Sequence, residues 1–322
     1  MRLEGLHHVT MITGDARRNV EFYAEVLGLR MVKKTVNFDD PRAYHLYFGD
    51  EAATPGSILT WFEYAGVHPG EAGAGMIHTL QLGVASEEAL DFWADRLRGK
   101  DHAITREAGS LRLVDPDGLA LELLLADEGN APLRALHPEI APEHAILGVE
   151  GARAYALSHA LDVDSPEGPL TGAPKGLLTE TLGFTDLGAG EYRLEGGARR
   201  FRWAYDRARS EGRSGAGTVH HIAWASRDED HVMWQRRVRE AGGFVTEVKD
   251  RDYFRSIYFR EPHGILFEIA TLLPGFAVDE DPERLGEALR LPKMHEHLRE
   301  RLERELTPVV NPRTARRERA SG

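Results

Sequence analysis

The sequence predicts an α+β protein of four βαβββ modules in tandem, paired into open β-cups. Three observations carry this expectation. A complete unit is legible from Val219 to Phe276, and its opening Val-His-His-Ile (219–222) recurs near the N-terminus as Leu-His-His-Val (6–9). Closing hairpins of one shape, each turning at Gly56, Gly118 or Gly264, end three of the units.

The fourth unit is the clearest. Residues 219–226 alternate as a strand, so strict side-chain periodicity sends one histidine of the pair His220/His221 to each face. Asp228 and Glu229 open a helix carrying Val232, Trp234, Val238 and Ala241, and Gly242 and Gly243 stop it. Strands are expected over 244–248, 253–260 and 264–272, with Glu-Pro-His-Gly at 261–264 as a turn. Glu268 stands inside the most apolar of these, ILFEIATL. An unpaired carboxylate there would cost several kcal/mol, so it calls for a cation or strong donors.

The first unit spans 6–63: a strand with the pair His7/His8, a helix over 16–27 ended by Gly28, then the strands MVKKTVNF, AYHLYFGD and SILTWFEY. Laying Gly56 on Gly264 puts Thr60 where the fourth unit has Glu268. The second unit, 76–127, has the strand MIHTLQLGV with His78, the helix SEEALDFWADRLRG and a closing hairpin that puts Glu122 at that position. The third is blurred by Gly and Pro over 165–176. Its LTETLGFTDL (178–187) nevertheless matches YAEVLGLRMV (23–32), and Phe201 takes the carboxylate's place. Such a series suggests two pairs of modules. The expected domains are 1–135 (modules one and two), 144–276 (modules three and four) and 277–322, a C-terminal extension with a helix and a flexible basic tail. Residues 128–143 read as a linker and 207–217, RARSEGRSGAG, as a flexible connection.

The 322 residues carry a formal net charge of −12, which argues against nucleic acid and anionic membrane as partners. No stretch is apolar for the length of a membrane span, and MRLEGLHHVTMITGD lacks a signal-peptide core. With no cysteine, disulfides and thiolate metal sites are excluded, any metal must be held mainly by His, Asp and Glu, and a cytoplasmic location is expected. Nucleotide-binding and hydrolase fingerprints are absent.

The chemistry therefore rests on the histidines that open units one and four and on Glu268. Two histidines and one carboxylate on one face of an octahedron leave three adjacent positions open, which suits iron(II) binding both a substrate and dioxygen. Periodicity does not choose between His7 and His8, or between His220 and His221. His78 and Glu122, lacking a carboxylate from unit three, read as structural. His45 is expected to line the cup, while His144 and His159 lie in poorly patterned sequence and His295 and His297 on an exposed helix.

GLHHVT (5–10), LGLRMVKKTVNFDDP (27–41), YHLYFGDE (44–51), GTVHHIAW (217–224) and RDYFRSIYFREPHGILFEIAT with the following PGF carry a family resemblance. The chain resembles the vicinal oxygen chelate superfamily (glyoxalase/bleomycin resistance/dioxygenase) and, within it, the ring-cleaving dioxygenases that act on hydroquinones. The likeness reaches to about residue 292 and is most specific around the histidines and Glu268. It implies His8, His221 and Glu268 as metal ligands, modules one and four paired around the metal, and Tyr258 and His7 as candidates for acid–base work, with Arg251 or Tyr253 beside them. In a similar metal-dependent glyoxalase I, carboxylates come from both paired units. Thr60 at one of these positions favours the open facial triad.

The reading is an Fe(II)-dependent enzyme, with Mn(II) as the other metal the ligands accept, that inserts both atoms of O2 into a dihydroxylated ring of hydroquinone or catechol type. Trp61, Phe62, Trp224 and Phe267 are expected as apolar walls, and a homo-oligomer as the assembly. The competing readings are a glyoxalase-like isomerase or lyase and a ligand-sequestering protein of the same fold.

Overall fold

The computed structural model describes residues 1–157 and 176–321. The blurred start of unit three, with His159, lies outside them. Module one supplies β1 (Gly5–Thr13), β2 (Arg30–Val36), β3 (Tyr44–Gly49) and β4 (Ile58–Glu63), and module two β5 (Ile77–Val84), β6 (Ile104–Glu107), β7 (Ser110–Val114) and β8 (Ala120–Leu125). Module three supplies β9 (Val149–Ala156), β10 (Thr185–Gly188), β11 (Glu191–Glu195) and β12 (Arg200–Arg207). Module four supplies β13 (Val219–Ser226), β14 (Lys249–Asp250), β15 (Arg255–Arg260) and β16 (Leu266–Thr271).

These strands form two eight-stranded sheets, ordered β14-β15-β16-β13-β1-β4-β3-β2 and β10-β11-β12-β9-β5-β8-β7-β6. Modules one and four share the first sheet and modules two and three the second, so each sheet draws on both halves of the chain. In every module the first strand runs parallel to the fourth. The modules of a pair meet through their first strands, β1 against β13 and β5 against β9, antiparallel.

The helices lie over one face of the sheets. α1 (Ala16–Val20) is capped by Asp15, whose carboxylate accepts from Arg17 N and Arg18 N, and runs on into a π-helical turn, Glu21–Val26. α2 (Glu87–Gly99) is capped by Ser86 and buries Leu90, Trp93 and Leu97; α3 (His231–Glu240) buries Trp234 and Val238. The sheet residues that join them in the core are alternate ones, among them Trp61, Trp224 and Phe267. These three were expected as walls of the cup, but the two-residue period that turns Thr60 and Glu268 inward turns their neighbours outward.

Module four departs from its pattern after α3. Over 244–248 the expected strand is replaced by a single bridge, Val245 with Phe259, the two-residue β14 follows it, and Phe244 is exposed. The connection at 207–217 is likewise ordered by pairing. It zips against 69–74, with Glu71 and Arg213 exchanging both backbone hydrogen bonds at 2.8 Å. A side chain at Gly73 would lie 2.3 Å from Gly212 N, so the two glycines make that approach possible.

The C-terminal segment also differs from the expected tail. Residues 285–311 lie along edge strand β2, with Arg290 N donating to Lys34 O and Asn311 to Met31 O. They include α4 (Arg299–Glu305), and α5 (Pro312–Ser321) follows. Arg313 pairs with Glu51, Arg316 with Glu25 and Arg317 with Glu287, because an acidic chain offers carboxylates to the arginines that composition alone assigned to solvent. His295, expected on an exposed face, is buried and bonds Phe38 O at 2.8 Å. No helix among the described residues is long and apolar enough to cross a membrane.

Candidate metal centre

Both histidine pairs sit on β-bulges. Along β1 and β13 the register runs Leu6 with Trp224, then His8 with Ala223, and Thr10 with His221, then Met11 with Val219. His7 and His220 are thus the extra residues. A bulge breaks the alternation that would send adjacent side chains to opposite faces, and the two rings of each pair meet. The Nδ1 atoms of His7 and His8 are 2.8 Å apart, as are those of His220 and His221. The strict alternation expected from sequence fails here for that reason. β5 and β9 bulge at the corresponding His78 and Glu150.

His8 and His221 then face each other across the β1–β13 seam, their Nε2 atoms 3.2 Å apart. Glu268 stands beside Ala223 on β16, its Oε2 3.5 Å from His8 Nε2 and 3.0 Å from His221 Nε2. One ligand atom from each of the three lies within 4.8 Å of the others, and all three residues are buried. Neither oxygen of the fully buried Glu268 has a hydrogen-bond donor. A carboxylate so placed is costly unless a cation joins it, and two imidazole nitrogens are at hand to share one. The donor set fits a divalent metal with imidazole and carboxylate preferences.

The tautomer of His8 follows from its neighbours. The carbonyl of Thr271 can only accept, so His7 Nε2, 3.1 Å away, carries a proton. Burial lowers the pKa of His7 to about 4, which keeps the ring neutral and leaves Nδ1 as an acceptor. His8 Nδ1 therefore donates to it, and His8 Nε2 keeps a lone pair directed at Glu268. Burial first, then His7, His221 and His45, hold the His8 pKa well below its ordinary value. His7, expected as an acid–base candidate, has both nitrogens engaged and does not line the cavity; its geometry is that of a group orienting His8. Replacing His7 by Phe is expected to weaken metal binding about 10–100-fold with little loss of fold, measured by Mn(II) titration.

The fourth corner is Thr60. It pairs with Thr10 on β1 as Glu268 pairs with Ala223 on β13, so the register equates the two positions. Its hydroxyl bonds Thr10 Oγ1 and His45 Nε2, both at 2.8 Å. In the second sheet the same four corners are Thr79, Gly151, Glu122 and Ala204. Ala204, not Phe201, takes the place of Glu268 there, and Phe201 is core. Glu122 is occupied by Gln81 and Arg112, and His78 by Asp206. That cup thus keeps one possible ligand corner of four.

The triad opens into a cavity of about 220 Å³ walled by Phe38, Phe62, Phe254, His45 and Tyr47, with Asn37, Asp39, Tyr64, His220, Arg251 and Tyr258 as its other polar lining. Tyr258 Oη accepts from Arg251 Nε at 3.3 Å and Ser256 Oγ at 3.0 Å, which leaves its own proton to donate. Burial, then the charge of Glu268, raises its pKa, so the phenol is neutral at pH 7. Arg251 also pairs with Asp39 across the mouth at 3.0 Å. Tyr253 points away, to Asp279. Sequence reasoning missed Asn37, Phe38, Asp39, Tyr47, Tyr64 and Phe254. The one available signal was Tyr47, two residues from His45 on an alternating strand.

The family signature described as the Glyoxalase/Bleomycin resistance protein/Dioxygenase superfamily matches residues 5–123 and 176–269. The chain is 42% identical over 318 residues to "Putative ring-cleaving dioxygenase MhqO" of Bacillus subtilis (strain 168), covering 94% of this chain and 96% of that protein. It is 32% identical over 329 residues to the chlorohydroquinone/hydroquinone 1,2-dioxygenase of Sphingobium indicum, covering 96% and 98%. Its fold superposes on the crystal structure of a "putative dioxygenase" from Bacillus subtilis subsp. subtilis str. 168 with a TM-score of 0.83 at 38% identity, covering 95% and 97%. The fold of Zea mays glyoxalase I is also similar, with a TM-score of 0.56 at 16% identity over 83% of this chain and 92% of that one.

Proposed function

The chain belongs to the glyoxalase/bleomycin resistance protein/dioxygenase superfamily and, within it, to the ring-cleaving dioxygenases, and from that premise we propose an iron(II) enzyme acting on a single-ring hydroquinone or catechol, with His8, His221 and Glu268 as its metal ligands. The observation that carries the metal assignment is Glu268: fully buried, without a donor on either oxygen, and beside two histidine nitrogens. The donor set would supply iron(II) with three protein ligands and leave adjacent positions for a ring hydroxyl and dioxygen. Manganese(II) is the alternative occupant.

The remaining residues bind, orient and move a proton. Phe38, Phe62 and Phe254 offer an apolar slot, and 220 Å³ is small beside ordinary ligand pockets of about 300–1,000 Å³, which suits one ring. Tyr258, neutral and with its proton free, is placed to hydrogen-bond a substrate oxygen and to exchange that proton as the ring opens. Arg251 and Ser256 fix the phenol. Tyr258→Phe is expected to lower kcat/KM about 100-fold while metal content stays at the wild-type level, checked by steady-state kinetics with metal analysis of the same sample.

The deciding experiment is anaerobic reconstitution with iron(II) followed by dioxygen uptake on a panel of hydroquinones and catechols, with His221→Ala as control. Stoichiometric uptake with a ring-opened product, lost in the variant, is expected. Iron-loaded protein that consumes no dioxygen overturns the iron dioxygenase assignment. A cytoplasmic homo-oligomer belongs to the same proposal. The edge strand β10, with all four residues exposed, supports the assembly, and light scattering checks it.

A further inference from the structure

We infer that the segment following β16 is part of the metal centre, and that Lys33 is the positioning residue that holds it there; the inference rests on the metal reading above. Lys33 lies on β2 and is fully buried. Its ammonium is 2.6 Å from Asp279 Oδ1, in contact with the carboxylate of Glu280, and 4.7 Å from the centre of the Tyr253 ring. Tyr253 donates to the other oxygen of Asp279 at 3.1 Å, and Gly286 N to Glu280 Oε1 at 3.2 Å.

The clamp lies three residues beyond Phe276. That ring is buried and set edge-on against His7 at 5.3 Å and His8 at 6.5 Å, beside Phe254 at 5.8 Å. A short turn of chain, in which Glu280 N donates to Ala277 O at 3.4 Å, therefore joins the clamped carboxylates to Phe276, whose ring packs on a ligand histidine. Arg290 reaches the cluster from its partly exposed side, its Nε 3.8 Å from Glu280 Oε1, and the remaining surroundings are apolar, including Val32, Ile58, Ala270 and Leu285.

A buried ion cluster in such a place adds little stability over apolar residues of the same shape, and its use is to specify position. Outside its own turns the backbone of this stretch is tied at Gly275 N, which donates to Tyr253 O at 2.9 Å. Residues 272–281 have no strand or helix to set their register, and they lie beyond the part matched by the family signature. Lys33 pins them so that Phe276 closes the back of the His7–His8 pair. Water is kept from the Nδ1–Nδ1 hydrogen bond, and the His8 ring is held with Nε2 toward Glu268.

The test compares wild type, the triple variant K33M/D279N/E280Q, which leaves the partly exposed Arg290 as the cluster's remaining charge, and Phe276→Leu, all full-length. Mn(II) affinity is measured against a competing chelator, and the Co(II)-loaded proteins are compared by visible absorption. The triple variant removes both signs of charge together and so avoids stranding a buried carboxylate, while Phe276→Leu leaves the clamp in place. Both are expected to keep the wild-type circular dichroism, bind Mn(II) about 10-fold more weakly and shift the Co(II) bands. A merely structural role would lower the melting temperature and leave the Co(II) spectrum alone. Folded variants with wild-type Mn(II) affinity and Co(II) spectrum overturn the clamp alone. A wild-type chain that binds neither ion overturns the metal reading and this inference with it.

Discussion

Glu268→Gln is expected to weaken metal binding by more than about 100-fold, beyond the range of losses for residues that only orient a ligand, and at the same time to stabilise the metal-free protein. The two effects have one origin. The carboxylate is fully buried with no donor on either oxygen, a state whose cost is on the order of 1–3 kcal/mol or more. Only a cation repays it. An amide of the same shape carries no charge and brings N–H groups to the lone pair of His8 Nε2, so the metal-free variant loses the penalty. The melting temperature of the chelated protein should rise by about 2–4 °C per kcal/mol recovered, or somewhat less for a chain of this length. Thermal melts in the presence of chelator and Mn(II) titrations of the same preparations measure both. A variant that binds Mn(II) like wild type, or one less stable than wild type when metal-free, would sink the assignment of Glu268 as a ligand.

Thr60→Glu should separate metal binding from dioxygen chemistry. The register makes position 60 the counterpart of 268, so a glutamate there reaches into the cup from the opposite corner. It would take one of the positions that a ring hydroxyl and dioxygen need, and metal would be held at least as tightly while dioxygen uptake falls by more than about 100-fold. The substitution breaks the bonds of Thr60 to Thr10 and His45 and enlarges a buried side chain, at a cost of about 1–3 kcal/mol. Metal analysis together with an oxygen electrode reads the outcome. Full uptake in a metal-loaded variant would mean that position 60 does not reach the coordination sphere. The same variant discriminates the glyoxalase-like reading, because it restores the carboxylate whose loss disfavours that chemistry.

The modules, their order and the residue types of the centre were legible because each has a local signature. The histidine pairs, Glu268 in an apolar run and the turns at Gly56, Gly118 and Gly264 are all readable within a few residues. Loss of a carboxylate at position 60 was legible too, since an alignment of turns transfers to a register of strands. Orientation was not. Alternation is the default of a strand, and it assigned His220 and His221 to opposite faces. The bulges at His7 and His220 depend on how β1 pairs with β13, more than 200 residues apart in the chain. The same dependence misassigned Phe201, because the counterpart of Glu268 in module three is fixed by which residue of β12 lies beside Arg153.

The C-terminal segment shows the limit from the other side. Its arginines read as a solvated tail because nothing adjacent in sequence pairs with them, yet Glu25, Glu51 and Glu287 do so in the fold. The sequence by itself determined the repeated unit, the non-thiolate make-up of the candidate donor set and the position that has threonine in place of a carboxylate, all consequences of short-range pattern. Local pattern left open which modules share a sheet and which histidine of each pair faces the carboxylate, points that the family resemblance implied and the register shows, and only the tertiary structure decided what packs behind them. Those depend on register and long-range packing, and a register shift of one residue turns every side chain to the other face.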